Sequence, residues 1–416
     1  MHVVFIHQNF PAQFGHVAAF LAQKHGFRCT FVSEKPPGEA DGIRRIQYKV
    51  QGGATRQTHY FSRTFENAIW HSHAVFEALK SHPDVRPDLV VAHSGFLSTT
   101  FLRELYSCPI VNYFEYFYRT TGSDMDFRPD FPSPEANRLR AYARNAAILL
   151  DLENCDQGYS PTRWQRDRLP SLFHPKVRVI FDGIDTRVWK PQPGAPRVVA
   201  GRPVAPGMKL VTYVARGMES MRGFDIFMRA ARLLCRRRKD VGFVVVGQDR
   251  VCYGGDSQVT GKLTFKQWVL SRDDYDLSRF FFPGLLPIPQ LAHLLAITDL
   301  HIYLTVPFVL SWSLLDALAC GAPVLASDTG PVREVITHGS NGLLTDFFDV
   351  DALAEAAGKV LDDPAAHRSL GEAGVRLVEE RYSLDVCLPQ MLQLYEDAAN
   401  SRIRRAEPEC PREPQP

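Results

Sequence analysis

The chain has 416 residues, of which 45% are hydrophobic, 23% charged and 11% aromatic, and its formal net charge is +2. The length favours two domains over one ordinary core. The charge balance excludes a nucleic-acid binder, whose basic excess is larger and clustered on one face.

The amino-terminal stretch "MHVVFIHQNFPAQFGH" has a five-residue apolar run, too short for the apolar region of a signal peptide. No stretch approaches 18 uninterrupted apolar residues, so no transmembrane segment is expected. The eight cysteines are scattered without paired spacing and fit small buried hydrophobes in a reducing compartment. The expected location is the cytoplasm, extended at most to the inner face of the membrane. The short basic runs Arg236 to Lys239 and Arg402 to Arg405 are weak grounds for peripheral contact with anionic lipid.

In chain order, apolar β-branched runs at His2 to Ile6, Arg28 to Val32, Leu89 to Ala92, Pro109 to Tyr113 and Val177 to Phe181 alternate with helical stretches. One of these, "HVAAFLAQKHG", ends on Gly26 as a carboxyl-terminal cap would. Strands this continuously apolar belong to parallel sheets covered on both faces. Residues 191–207, "PQPGAPRVVAGRPVAPG", are Pro- and Gly-rich without periodicity and mark a linker. The alternation then restarts with "KLVTYVA", "VGFVVVG", "RFFFPG", "DLHIYLT" and "APVLAS". We therefore expect an α/β chain of two doubly wound Rossmann-like domains facing a cleft, residues 1–190 and 208–385. A helix over 386–400, packing back on the first domain, and a charged, proline-rich disordered tail over 401–416 follow.

No strand end carries G-x-G-x-x-G, which speaks against a dinucleotide cofactor. "GDSQVTGKL", from Gly255, imitates a phosphate loop but has five residues between its glycines and Leu263 where a magnesium-binding hydroxyl belongs. It reads as a surface loop. His71 and His73 stand two apart, on different faces of a helix, and no other pattern supports a metal site.

Two stretches carry chemistry. In "YVARGMESMRGFD" Arg216 and Arg222 project from the carboxyl edge of the second domain's first strand. Two guanidiniums there can hold a diphosphate and neutralise the charge that builds on it as a leaving group; the alternative is a pair of solvated loop arginines. In "YLTVPFVLSWSLLDALACGAPV" a strand ends near Thr305 and a helix starts around Ser311, a natural N-cap. The free amides of that first turn favour an anion. Asp316 lies about 5 to 7 Å further along the helix axis, the spacing of ribose hydroxyls from a nucleotide's phosphates. A carboxylate accepts hydrogen bonds from a diol. The alternative is a helix-face acid at a surface or interface.

Together, "DGID" (182–185), "ARG…RG" (215–223), "LLDALACGAPVLASDTGPVREVI" and "NGLL" (341–344) resemble the retaining glycosyltransferases of family 4, which have the GT-B fold. The resemblance covers almost the whole second domain and reaches back to "VIFDGIDTRVWKP". It implies a glycosyltransferase that moves a sugar from a nucleotide diphosphate sugar to an acceptor hydroxyl, with retention and without metal or cofactor. Arg216 and Arg222 stand where the family keeps an Arg and a Lys on the donor diphosphate. In the family's Glu-x7-Glu pair the second acid, on the ribose, falls on Asp316, and the first, on the sugar, falls on Phe308. Ser311, Trp312 and Ser313 occupy the loop whose amides face the diphosphate. Gly15 matches a glycine that lets the backbone approach the donor. His93 and Glu115 are cleft residues by position, and Glu334 matches a signature acid. A sugar-nucleotide epimerase of the same architecture and a non-catalytic nucleotide-sugar-binding module are the alternatives. Base, sugar and acceptor are not legible. The aromatic run "YFEYFYR" fits either an acceptor groove or core.

Overall fold

The computed structural model describes residues 1–406. The chain divides into two compact units. The first comprises Met1–Tyr118, Glu135–Asp182 and the chain from Cys387 onward, and the second comprises Arg119–Pro134 and Gly183–Val386.

The first unit is built on an eight-stranded sheet. Its strands are β1 (His2–Ile6), β2 (Arg28–Ser33), β3 (Gly38–Ala40), β4 (Ile43–Gln47), β5 (Leu89–His93), β6 (Ile110–Tyr113), β7 (Gln157–Ser160) and β8 (Val177–Val179). In space the order is β3-β4-β2-β1-β5-β6-β7-β8, and only β3 runs antiparallel to its neighbour. The central strands β1 and β5 are buried along their whole length, which is why they read as unbroken apolar runs in the sequence. β4, with Arg44 and Arg45 half-buried in its middle, and β7, which contains Gly158, carry no such run. Gly158 is needed in β7 because a side chain there would meet the Phe114 ring at 2.5 Å. The run "YFEYFYR" is core: Tyr113, Phe114, Tyr116 and Phe117 are buried, which overturns an aromatic acceptor groove built on them.

The second unit carries a six-stranded, all-parallel sheet in the order β13-β12-β11-β14-β15-β16. The strands are β11 (Lys209–Gly217), β12 (Val241–Gln248), β13 (Phe280–Gly284), β14 (Leu300–Tyr303), β15 (Val324–Ser327) and β16 (Leu343–Thr345). Before it, β9 (Val198–Val199) and β10 (Arg202–Pro203) form a short antiparallel ribbon inside the stretch expected to be a linker. That stretch is part of the second unit. Val199 packs with Leu210, Val244, Val246, Leu294 and Ile297, and Arg197 pairs with Asp299 at 2.6 Å.

The first half of the sequence also sends Arg119–Pro134 into the second unit. Phe127 and Phe131 of this segment pack against the large apolar cluster formed by β11, β12, β14 and the helix Phe224–Arg237. A contiguous first domain over 1–190 is thereby corrected. Among the described residues the seven cysteines are all free, and no helix is long and apolar enough to cross a membrane. The last helix runs from Leu384 to Ala406, so residues 401–406 are helical where a disordered tail was expected. Residues 407–416 lie outside the described chain.

Candidate functional site

β11 runs buried through Val211 to Tyr213, its register against β12 shifts between Val214 and Gly217, and the strand emerges with Arg216 exposed at its carboxyl end. The chain then makes a single 3-10 turn, Ser220–Arg222, before the helix Phe224–Arg237. Gly223 joins the two with φ +61°, and a side chain there would come within 2.8 Å of Leu304. Only glycine combines that backbone with that space.

The turn is held by buried acids. Glu219 is fully buried, and its Oε2 accepts from the amides of Cys252, Tyr253 and Gly254 at 2.8, 2.8 and 3.2 Å. Burial raises its pKa against the pull of those three donors and of Arg222. Asp256, buried, accepts from the Ser220 amide at 2.8 Å and from its hydroxyl at 2.5 Å. Asp256 and Thr260 lie inside "GDSQVTGKL", and Ser257–Thr260 is a helical turn. That segment braces the Arg222 turn, which corrects its reading as a surface loop.

Arg222 is buried, and its Nη1 donates to Thr305 Oγ1 at 2.8 Å and to the Val309 carbonyl at 3.1 Å. Its guanidinium carbon lies 5.4 Å from the Tyr253 ring centre and 5.8 Å from that of Phe308. The two rings are 5.4 Å apart. Arg216 approaches the same tyrosine, with Nη1 at 3.5 Å from the hydroxyl. Arg216, Tyr253, Arg222 and Phe308 therefore form one cationic and aromatic cluster at the carboxyl ends of β11, β12 and β14, where open α/β sheets bind ligands.

β14 ends at Tyr303, two residues earlier than expected, and Ser311 caps the helix Trp312–Ala319. The first-turn amides are less open than the sequence suggests. The Ser311 amide donates to Tyr303 Oη at 2.9 Å, that of Leu314 to the Ser311 carbonyl at 3.2 Å, and that of Ser313 to Ser311 Oγ at 3.4 Å. The last of these is long and easily exchanged for an anion's oxygen. Trp312 is exposed beside them. Asp316 is half-buried one turn further in, and among the described residues its carboxyl accepts no hydrogen bond and meets no cation. Burial alone holds its pKa well above the ordinary carboxylate range.

Of the other residues singled out, Glu334 caps the short turn Gly330–Arg333 and is half-buried in the same unit. Gly15, His93 and Glu115 belong to the first unit. Gly15 opens the helix Gly15–His25, and its missing side chain makes room for Pro11, which a Cβ would meet at 2.7 Å. Buried His93 holds the Ser94 carbonyl with Nδ1 at 2.7 Å and faces Glu115 with Nε2 at 3.5 Å. Burial opposes charging His93, yet the Glu115 carboxylate and the Ser94 carbonyl outweigh it and raise the pKa. Tyr253, Glu219 and Asp256 escaped sequence reasoning. Tyr253 had a usable signal, since it follows the carboxyl end of β12.

Residues 25–189 match the family described as Glycosyl transferase family 4 group, and residues 201–376 match Glycosyl transferases group 1. The alpha-maltose-1-phosphate synthase of Mycobacterium tuberculosis is 30% identical over 236 residues, 54% of this chain and 58% of that protein. The N-acetyl-alpha-D-glucosaminyl L-malate synthase of Bacillus anthracis is 34% identical over 108 residues, 26% of this chain and 28% of that protein. The chain thus spans between about a quarter and three fifths of the length of these relatives. Among solved structures, sucrose-phosphate synthase from Thermosynechococcus elongatus superposes with a TM-score of 0.72 at 18% identity, over 96% of this chain and all of that one. Anabaena HepE in complex with UDP-glucose superposes with a TM-score of 0.67 at 15% identity, over 97% of this chain and all of that one.

Two α/β sheets, one parallel throughout and one parallel but for an edge strand, define the GT-B fold class. Within it, the chain belongs to the glycosyltransferases of the family 4 group.

Proposed function

We propose that the chain is a retaining glycosyltransferase that moves a sugar from a nucleotide diphosphate sugar to an acceptor hydroxyl without a metal ion. One observation carries this reading: Arg216 and Arg222 meet around Tyr253 at the carboxyl end of β11, while the helix beside them presents Asp316 without a partner among the described residues. Retention and metal independence rest on the family resemblance.

In this scheme Arg216 and Arg222 hold the diphosphate and stabilise the negative charge that grows on it as the bond to the sugar's anomeric carbon breaks. The Ser311–Ser313 turn adds amides to the same anion. Asp316 accepts from the ribose hydroxyls, which supply the hydrogen bonds that the protein itself withholds from it. A new bond forms between the anomeric carbon and the acceptor oxygen on the face the diphosphate leaves. The acceptor's proton passes to a diphosphate oxygen, and a nucleoside diphosphate departs.

The test is to incubate the protein with UDP-, GDP- and ADP-sugars and measure nucleoside diphosphate release with and without EDTA. Release from at least one donor, unchanged by EDTA, is expected. Tight binding of a nucleotide with no release from any donor assigns the chain to the non-catalytic reading that Phe308 favours. Release abolished by EDTA contradicts the metal-free mechanism.

A further inference from the structure

Arg128 lies in the segment that the first half of the sequence contributes to the second unit, and it is 4% exposed. Its Nη1 donates to the Ser220 carbonyl at 2.9 Å and to Asp225 Oδ1 at 2.8 Å, and its Nη2 donates to Asp225 Oδ2 at 2.7 Å. The outer edge of the guanidinium pairs with Asp130 at 2.5 Å. Its faces are covered by Phe131 at 4.6 Å and Phe347 at 5.3 Å.

We infer that Arg128 is a positioning residue for the donor diphosphate, acting through Ser220 and Asp225 on the turn that aims Arg222. Ser220 opens that turn and Arg222 closes it, while Asp225 sits in the first turn of the helix that follows. One planar fork thus ties the turn to the helix across Gly223. Asp256 fixes the amide side of Ser220 and Arg128 the carbonyl side, so the peptide is gripped from both directions. Loss of either grip leaves Gly223 free to swing the turn, because glycine alone does not restrain it. Lysine cannot replace the grip: a single ammonium does not present two parallel donors to a carboxylate and a third to a carbonyl. Phe127 and Phe131 seat the segment on the apolar cluster, so it stays attached when the fork is weakened.

The inference rests on the diphosphate clamp proposed above, and the test separates the two. The affinities of UDP and UMP, GDP and GMP, and ADP and AMP are measured by calorimetry for the full chain and for Arg128→Lys, with melting temperatures alongside. For the pair that binds, Arg128→Lys is expected to weaken the diphosphate about tenfold while the monophosphate stays within about twofold, the pattern of a lost charge-assisted phosphate contact. A general loss of structure moves both ligands together, and an unchanged ratio of the two affinities overturns the inference. If Arg128→Lys melts below the assay temperature, Asp225→Asn, which breaks the same fork from the other side, is measured against the same criterion. Absence of nucleotide binding by the wild-type chain removes the clamp and with it this role. Wild-type binding with an unchanged ratio in both variants removes the role of Arg128 alone.

Discussion

Ser313 Oγ donates to the Val214 carbonyl at 3.3 Å, tying the helix that carries Asp316 to the strand that ends in Arg216. Two halves of the candidate donor site, about a hundred residues apart in sequence, are therefore joined by a hydrogen bond between a first-turn serine of that helix and the strand. A second tie, from Arg222 to the Val309 carbonyl, fixes the loop between β14 and that helix. The site lies along one edge of the second unit's sheet, and each of its residues has a distinct signature on removal.

Arg216 and Arg222 are expected to fail differently. Arg216→Ala removes an exposed side chain and lowers diphosphate affinity by about 1.5 to 3 kcal/mol, leaving the melting temperature unchanged. Arg222→Ala also strands Thr305 and the Val309 carbonyl, so it lowers both affinity and stability. Calorimetry and thermal melting on both variants check this. Equal behaviour of the two contradicts the burial difference on which the prediction stands.

Asp316 presents a conflict between stability and binding. A carboxyl whose folded pKa lies above its unfolded value costs stability increasingly as pH rises past the unfolded value. Asp316→Asn should therefore melt higher than wild type at pH 8, with the gain shrinking toward pH 4. The same variant should bind the nucleoside portion about 1 to 3 kcal/mol more weakly, the scale of hydrogen bonds to a charged acceptor. A variant that melts lower and binds nucleotide as well as wild type would show that Asp316 is a structural residue.

Asp151 offers a pH test in the first unit. It is buried, it accepts from the Gly95 amide at 2.7 Å and Ser94 Oγ at 3.1 Å, and burial raises its pKa to about 7 in spite of them. The unfolded chain titrates this group near 3.8, so wild type loses stability between there and about 7. The stability of Asp151→Asn relative to wild type should grow across that window by up to a few kcal/mol and level off above it. Denaturant unfolding at pH 5, 6, 7 and 8 measures the difference. A difference independent of pH rules out titration of Asp151 there.

Glu219 separates charge from hydrogen bonding. Its Oε2 serves three amides, while Oε1 is buried without a hydrogen-bond partner among the described residues. Glu219→Gln keeps the accepting oxygen and should change stability by less than about 1 kcal/mol, whereas Glu219→Ala strands three amides and should cost about 3 kcal/mol or more. Comparable losses from the two substitutions would mean that the negative charge, not the acceptor geometry, holds the Tyr253 loop.

Much of the sheet framework is legible in the sequence because buried parallel strands leave unbroken apolar runs. β1 falls on His2–Ile6, β15 falls within its expected run, and β11 and β12 begin with theirs and continue one or two residues further. β4 and β7 were not legible, since two arginines interrupt one and a glycine the other. The placement of Arg119–Pro134 was not legible either. Its attachment depends on Phe127, Phe131 and Arg128 meeting residues more than ninety positions away, and no local periodicity records such contacts. In the candidate site, Arg216, Arg222 and Ser311 were readable because each stands where a strand ends or a helix begins, and Asp316 because it is the lone acid one turn into an otherwise apolar helix. Asp256 was not, because a failed phosphate-loop match made its segment look like surface. Phe308 was readable as an apolar substitution, but its pairing with Tyr253 and Arg222 emerges only in three dimensions.

The most direct measurement is a crystal structure of the protein with the nucleoside diphosphate it binds. The account predicts the diphosphate between the Arg216 and Arg222 guanidiniums beside Tyr253, with both ribose hydroxyls within hydrogen-bonding distance of Asp316. A nucleotide bound elsewhere, or bound here with its ribose turned away from Asp316, would contradict it.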